Sequence, residues 1–138
     1  MTTKSADGTL TDKENPMTII LLGDPRTKKN SQRLVRAGGR FIPLTSKAYA
    51  EYEADCLRQI TGDKRKQIDC QVNVGCVYYM ATKRRVDLNN LLEATTDILV
   101  KAGVLTDDNS RIVAGHDGSR VRYDKDNPRV EITIDWIN

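Results

Sequence analysis

The chain has 138 residues, of which 38% are hydrophobic and 30% charged, a composition typical of one globular domain with its own core. Its net charge of +3 is too small to indicate a function by itself. Neither a signal peptide nor an apolar run of membrane-spanning length is visible, so the sequence predicts a cytoplasmic protein with no membrane partner.

Cysteine and histidine usage argues against two further classes of protein. The three cysteines, Cys56, Cys70 and Cys76, are odd in number, lack CxxC spacing and occur with one histidine, His116. Neither a zinc site nor a disulfide framework is expected, and the cysteines are predicted to be buried apolar residues in a reducing cytoplasm. The context of His116, GHDGS, favours a surface turn over a catalytic base.

The first 45 residues predict a tail, a strand and a hairpin. Residues 1–16 are polar without periodicity and predict a disordered tail, which leaves 17–138 as the folded domain. Met17–Leu22 predicts a buried strand that ends in a turn. Two adjacent glycines, at 38–39, predict a hairpin that stops at Pro43, because proline cannot donate to a strand ladder.

A basic segment surrounds this hairpin. Between Gly23 and Ile42 there is one acid, Asp24, and six bases: Arg26, Lys28, Lys29, Arg33, Arg36 and Arg40. The hairpin would expose Arg33, Arg36 and Arg40. Such a segment suits an anionic partner such as nucleic acid, and it is equally typical of a solvated loop.

A helix and a long strand are predicted next. Thr45 or Ser46 would cap a helix that runs to about Thr61, and its apolar face comprises Tyr49, Tyr52, Cys56 and Ile60. Ile68–Met80 alternates apolar and polar residues, which predicts a strand with one buried face.

The second helix is predicted from Leu88 to Ala102, with Gly103 as its stop. Its buried stripe would comprise Leu88, Leu91, Leu92, Thr95, Leu99 and Ala102. Strands at 111–115, 121–123 and 129–136 follow. The order, roughly β-β-β-α-β-α-β-β, predicts an α+β fold: a single domain in which a mixed β-sheet packs with two main helices.

Acidic residues flank the second helix. Asp87 occupies its predicted N-cap, Asn89 follows two residues later, and Asp107 and Asp108 come after the helix. The two ends would meet only if 104–108 ran back along the helix. Clustered carboxylates repel one another unless a cation neutralises them, and oxygen ligands select Mg²⁺ or Mn²⁺.

Three bases, Lys83, Arg84 and Arg85, precede Asp87 and would hold a phosphate backbone. A divalent ion beside them would activate water and stabilise charge on the phosphate. The alternative, in which the acids only cap the helix and form turns while the bases are solvated, remains open.

The run RR-x-DL-x-N, a helix and then KAG-x-L-x-DD resembles the RusA family of Holliday junction resolvases over about residues 17–136. The matching residues are Arg84, Arg85, Asp87, Leu88, Asn90, Asp97, Lys101, Ala102, Gly103, Leu105, Asp107 and Asp108. The early GDPRTKKNS is also similar to that family's N-terminal region. The resemblance implies a bacterial or phage-encoded homodimer that cuts four-way junction DNA symmetrically with Mg²⁺, for which Mn²⁺ is a possible substitute.

The resemblance also implies roles for individual residues. Asp87, Asn89 and Asp108 occupy the positions of the family's essential carboxylates, with Asp107 adjacent, and Glu93 occupies that of a lysine that is often catalytic. The implied metal ligands are thus Asp87, Asn89, Asp107 and Asp108, and the implied DNA contacts are Lys28, Lys29, Arg33, Lys83, Arg84 and Arg85.

Two of these positions depart from the family pattern. Asn89 can ligate a metal ion through its carbonyl oxygen but brings no charge, and Glu93, one helical turn further on, could restore that charge. The alternative is a structure-selective junction-binding protein that cuts weakly or not at all. Such a protein could be a natural family member or an Asp-to-Asn variant made to bind without cutting.

Overall fold

A computed structural model describes residues 15–28, 32–45 and 47–137. Its strands are β1 (Met17–Leu22), β2 (Gln32–Ala37), β3 (Arg40–Thr45), β4 (Val72–Met80), β5 (Val113–Gly115), β6 (Arg120–Tyr123) and β7 (Arg129–Trp136). Its helices are α1 (Lys47–Gln59) and α2 (Leu88–Lys101), with a short 3₁₀ turn at Gly62–Lys64. The predicted α+β fold is confirmed. The predicted tail lies outside the described residues, apart from Asn15 and Pro16.

A mixed five-stranded sheet forms the centre of the molecule. β7 lies between β1 and β4 and is antiparallel to both, whereas β5 and β6 both pair in parallel with the other edge of β4. β4 is therefore the strand on which the two halves of the chain meet. A separate antiparallel ribbon is formed by β2 and β3.

The core lies on one face of the sheet. Burial alternates along β1, β4 and β7, and their inward residues pack with apolar residues of both helices, such as Cys56 and Leu99. Each large apolar side chain buried in this way stabilises the fold by about 1.5–3 kcal/mol. Ile20 and Leu22, on the opposite face of β1, remain about half exposed.

The predicted second helix is confirmed. Asp87 is its N-cap, and the predicted stop, Gly103, has a φ of 80°, the left-handed conformation in which glycine ends helices without strain. The first helix ends at Gln59, two residues before the predicted Thr61. Ser46, one of its two predicted caps, lies outside the described residues.

The long strand begins later than predicted. Ile68 makes only an isolated bridge to Leu105, and regular pairing starts at Val72, so the predicted start at Ile68 was wrong by four residues. The reason is that Ile68 has no neighbouring strand: its backbone N–H donates to Val104 in the loop that follows α2. The alternation that suggested a strand reflects burial of Ile68 against that loop.

The predicted glycine hairpin is confirmed, with φ values of 58° at Gly38 and 79° at Gly39, as a two-residue turn of this kind requires. The predicted stop at Pro43 was wrong, because β3 continues through it opposite Leu34. Each strand of a two-stranded ribbon has one unpaired edge, where a residue without an N–H costs no ladder bond. The predicted exposure of Arg33, Arg36 and Arg40 concerns side chains outside the described part of the chain.

Two of the three cysteines are fully buried, Cys56 and Cys76, and Cys70 is partly buried. Burial raises the pKa of the Cys56 thiol to about 11 and that of Cys76 to about 12. Both thiols therefore remain protonated at neutral pH, as the prediction of buried apolar residues requires. No helix in the described ranges is both long and apolar enough to cross a bilayer.

Arg65 joins the C-terminal ends of the two helices. Its guanidinium donates hydrogen bonds to the backbone oxygens of Leu57 (2.8 Å), Ile60 (3.1 Å) and Ala102 (3.0 Å). These oxygens lie at the C-terminal ends of α1 and α2, within the last turn or one residue beyond it, where carbonyl groups lack helical partners and a positive charge is favourable. One side chain thus fixes the two helices relative to each other.

We expect Arg65→Met to lower the free energy of unfolding by about 1–2 kcal/mol. Hydrogen bonds from a charged donor contribute about 1.5–3 kcal/mol, and the exposure of this side chain reduces that value. Urea denaturation measures the change. The exposed Lys125→Met is a suitable control and should change stability by less than about 0.5 kcal/mol. Equal effects of the two substitutions would show that Arg65 does not join the helices.

Candidate active site

The two basic stretches of the sequence meet in space. The loop after β1 lies against the loop after β4, and the Asp24 carboxylate accepts a hydrogen bond from the backbone N–H of Ala81 at 2.9 Å. Arg26 and Arg84, one from each stretch, line the same depression. Positive charge that is separated by some sixty residues in sequence therefore lies on one surface.

Lys83, which belongs to this basic surface, lies against β6. The ammonium of Lys83 lies 5.1 Å from the centre of the Tyr123 ring, a cation–π contact that holds the Lys83 loop against that strand. Arg120 and Arg122 of β6 are also exposed, but they lie on the opposite face of the strand from Val121 and Tyr123. Neither arginine was predicted from the sequence as a site residue. Their alternation with Val121 and Tyr123 could have indicated that they share one face of a strand.

Lys28, predicted to contact DNA, forms an ion pair with Asp97 of α2. Asp97 also lies 3.8 Å from Lys101, which bonds Glu53 of α1 at 2.9 Å. Its hydrogen bond to Glu53 raises the pKa of Lys101. Lys28 is thus one member of a network that joins the basic loop to both helices. Lys29 and the side chain of Arg33 lie outside the described part of the chain.

Asp87 caps α2 with only one of its carboxylate oxygens. Oδ1 accepts the backbone N–H of Asn89 at 2.9 Å, and no donor among the described residues reaches Oδ2. The side chain is exposed and lines a depression with Arg85 and Asn90. The capping role is therefore confirmed, and it leaves one oxygen of Asp87 available to a ligand.

A second depression adjoins the first, because Asn90 lines both. From α2, this second depression is also lined by Asn89 and Glu93, which are exposed and one helical turn apart. His116 lines the same depression from the turn between β5 and β6. Glu93 has no ion-pair partner among the described residues. The N-terminal half of α2 thus collects three of the predicted site residues: Asp87, Asn89 and Glu93.

Asp107 and Asp108 lie at the other end of α2. Asp107 accepts the N–H of Asp108 at 2.7 Å within a local turn, as is typical of aspartate in loops. Thr106 on one side bonds Ile68, and Ser110 on the other bonds Gln71, so this turn stays beside the start of β4. The 14-residue helix, about 21 Å long, separates the turn from Asp87.

The chain does return to the N-terminal half of α2, but with a different residue. After the acidic turn it forms β5 along β4, and the next turn then brings His116 into the depression that Asn89 and Glu93 line. Residues 104–108 therefore do not run back along the helix. That return was the condition for Asp108 to lie beside Asp87 within one chain. The sequence predicts that His116 lies in a surface turn. Only the pairing of β5 and β6 with β4 reveals that this turn reaches the depression.

The donor atoms at this surface suit a weakly held divalent ion better than a closed metal cage. No group of three or more His, Cys, Asp or Glu side chains in the described ranges is arranged to hold a metal. The α2 surface nevertheless offers two carboxylates, Asp87 and Glu93, beside the amide oxygens of Asn89 and Asn90. Mg²⁺ commonly binds through one or two carboxylates and completes its coordination with water and substrate phosphate.

Comparison with known proteins identifies the family of this chain. A comparison with curated proteins found no match. The family model of the endodeoxyribonuclease RusA matches residues 23–135, which include the basic loop, α2 and the acidic turn. The chain therefore belongs to the RusA endodeoxyribonuclease family, whose members in general resolve Holliday junctions.

Proposed function

We propose that this protein is a divalent-metal-dependent endonuclease that resolves four-way DNA junctions by symmetric cleavage, with Mg²⁺ as its cofactor and Mn²⁺ as a substitute. The proposal rests on two surfaces of the protein that lie side by side. Exposed bases, among them Arg84 and Arg85, border the acidic and amide residues at the start of α2. A phosphate backbone held by the bases would pass beside Asp87.

The residues of α2 have distinct roles in this proposal. Asp87 Oδ2 and the Asn89 carbonyl oxygen would hold the ion, and Glu93 would supply the negative charge that Asn89 lacks. The ion, when bound, activates water and stabilises the charge that develops on the scissile phosphate. Arg84 and Arg85 would orient that phosphate, and the N-terminal end of α2 adds a favourable dipole for it.

Symmetric cutting requires two sites related by a two-fold axis, and the proposal therefore includes a homodimer. Asp107 and Asp108 lie in a turn beside the start of β4, whereas Asp87 lies at the N-terminal end of α2. They remain candidate ligands if the second subunit brings its own acidic turn to this surface. A dimer would in that case be necessary for metal binding as well as for symmetry.

A second function, junction binding without cleavage, is favoured by one observation. The resemblance to the RusA family implies a carboxylate at the position of Asn89, so the site carries one negative charge fewer than that resemblance implies. Electrophoretic detection of nicks in a synthetic four-way junction, with Mg²⁺ and then with Mn²⁺, separates the two functions. Cleavage supports the endonuclease, and tight binding without cleavage under both ions supports the binding protein.

We expect Glu93→Gln to reduce the rate of junction cleavage at least tenfold, because it removes charge from the metal site while preserving side-chain shape. Asn89→Asp should raise the rate, and it should restore cleavage to Glu93→Gln, since either acid can supply the missing charge. Single-turnover cleavage rates over a range of Mg²⁺ concentrations measure both effects. Glu51→Gln, an exposed change on α1, is the matched control. A Glu93→Gln protein as active as the wild type would refute this role.

We expect Arg84→Ala and Arg85→Ala each to weaken junction binding and to lower the slope of log affinity against log salt by about one. The reason is that each arginine would release about one counterion when it contacts a phosphate. Fluorescence anisotropy with labelled junction DNA, at several salt concentrations, gives the slope. Arg58→Ala, on α1, should leave the slope unchanged. An unchanged slope in the Arg84 and Arg85 variants would place the DNA on another surface.

A further inference from the structure

Side-chain hydrogen bonds, and not the backbone hydrogen bonds of a regular strand ladder, hold the turn that carries His116 against β4. Asn73 donates to the backbone oxygen of Asp117 at 3.1 Å and accepts the N–H of Asp117 at 2.8 Å. The Ser119 hydroxyl oxygen accepts the N–H of Cys76 at 3.0 Å. The turn between β5 and β6 is thus held at a fixed position on the strand.

Gly75 allows the turn to lie this close. A β-carbon at position 75 would lie 2.8 Å from the backbone oxygen of Asp117, a distance that real side chains essentially never show. Any other residue at position 75 would push the turn away from β4. The backbone contact at Gly75 and the hydrogen bonds of Asn73 therefore act together to hold His116 in place.

The imidazole of His116 is itself oriented by a backbone oxygen. Its Nδ1 lies 2.9 Å from the carbonyl oxygen of Val74. Because a carbonyl oxygen only accepts hydrogen bonds, Nδ1 carries the proton, and the neutral ring has its lone pair on Nε2. No hydrogen-bond partner for Nε2 exists among the described residues. A ring N–H donated to a backbone carbonyl is the arrangement that typically orients a metal-binding histidine.

The side chain so oriented lines the depression that Asn89 and Glu93 also line. We propose that His116 Nε2 is a direct ligand of a divalent ion in this depression, where the Glu93 carboxylate and the Asn89 amide oxygen are the oxygen donors. This inference rests on the proposed metal-dependent function and adds a ligand to it. Imidazole is a better ligand for first-row transition ions than for Mg²⁺, so the site should favour Mn²⁺ over Mg²⁺.

The nitrogen ligand can be detected directly. Electron spin-echo envelope modulation of Mn²⁺ bound to the protein–junction complex reports nitrogen nuclei coordinated to the ion. Because His116 is the only histidine, a modulation pattern that changes when ¹⁴N-histidine is replaced by ¹⁵N-histidine identifies this ring, provided that any affinity tag has been removed. Nitrogen of the DNA bases is unaffected by this labelling. We expect the pattern to change, and an unchanged pattern with Mn²⁺ bound would overturn the proposal.

His116→Asn provides the matched variant. The asparagine Nδ2 can take the place of histidine Nδ1 as donor to Val74, so the turn is kept while Nε2 is lost. We expect roughly tenfold weaker Mn²⁺ binding, by titration of the free-Mn²⁺ EPR signal, and little change in thermal unfolding. Unchanged Mn²⁺ affinity, or no Mn²⁺ binding by the wild type, would refute the proposal. If the variant does not fold, the isotope measurement on the wild type decides.

The two proposals can fail separately. Histidine-dependent modulation without cleavage of the junction would support the metal ligand and refute the endonuclease. Cleavage with Mn²⁺ bound but without histidine-dependent modulation would support the endonuclease and refute the metal ligand.

Discussion

A buried hydrogen bond between Tyr78 and Thr95 fixes the position of α2 on the sheet. The hydroxyl oxygens are 2.7 Å apart, and Thr95 donates its own proton to the Leu91 carbonyl, so Tyr78 is the donor. Burial raises the pKa of the Tyr78 hydroxyl, which ensures that it keeps this proton. A buried polar pair that is satisfied in only one register resists sliding of the helix along β4.

The functional surface depends on that register. β4 carries α2 on its inner face and the His116 turn on its edge, so its position relative to α2 decides which side chains meet. With α2 fixed by Thr95, its first turns present Asn89 and Glu93 to His116, and its N-cap presents Asp87 to the basic loop. A shift of one helical turn, about 5 Å, would separate these groups.

Much of the fold could be predicted because its signals are local. Asp87 and Gly103 mark the ends of α2 through capping chemistry, and the alternation of β7 is strict enough to give both of its ends. The errors arose where a tertiary partner overrides a local pattern. Ile68 alternates with β4 but bonds the loop after α2, and Pro43 is tolerated because the ribbon has an unpaired edge.

The site was predictable only in part, for the same reason. Asn89 and Glu93 are one helical turn apart, so their proximity follows from helical geometry, and the position of Asp87 follows from its N-cap chemistry. The proximity of His116 follows from the pairing of β5 and β6 with β4, and no local pattern encodes that pairing. The same pairing keeps Asp107 and Asp108 beside the start of β4, although spacing alone allowed them to return to Asp87.

The N-terminal half of α2 and the turn of His116 together form the proposed metal site. The anomalous scattering of Mn²⁺ in crystals of the protein bound to a four-way junction tests it most directly. We expect a peak in contact with Glu93 and His116, beside a DNA phosphate. A peak between Asp107 and Asp108 of the same chain, with none beside Glu93, would contradict it.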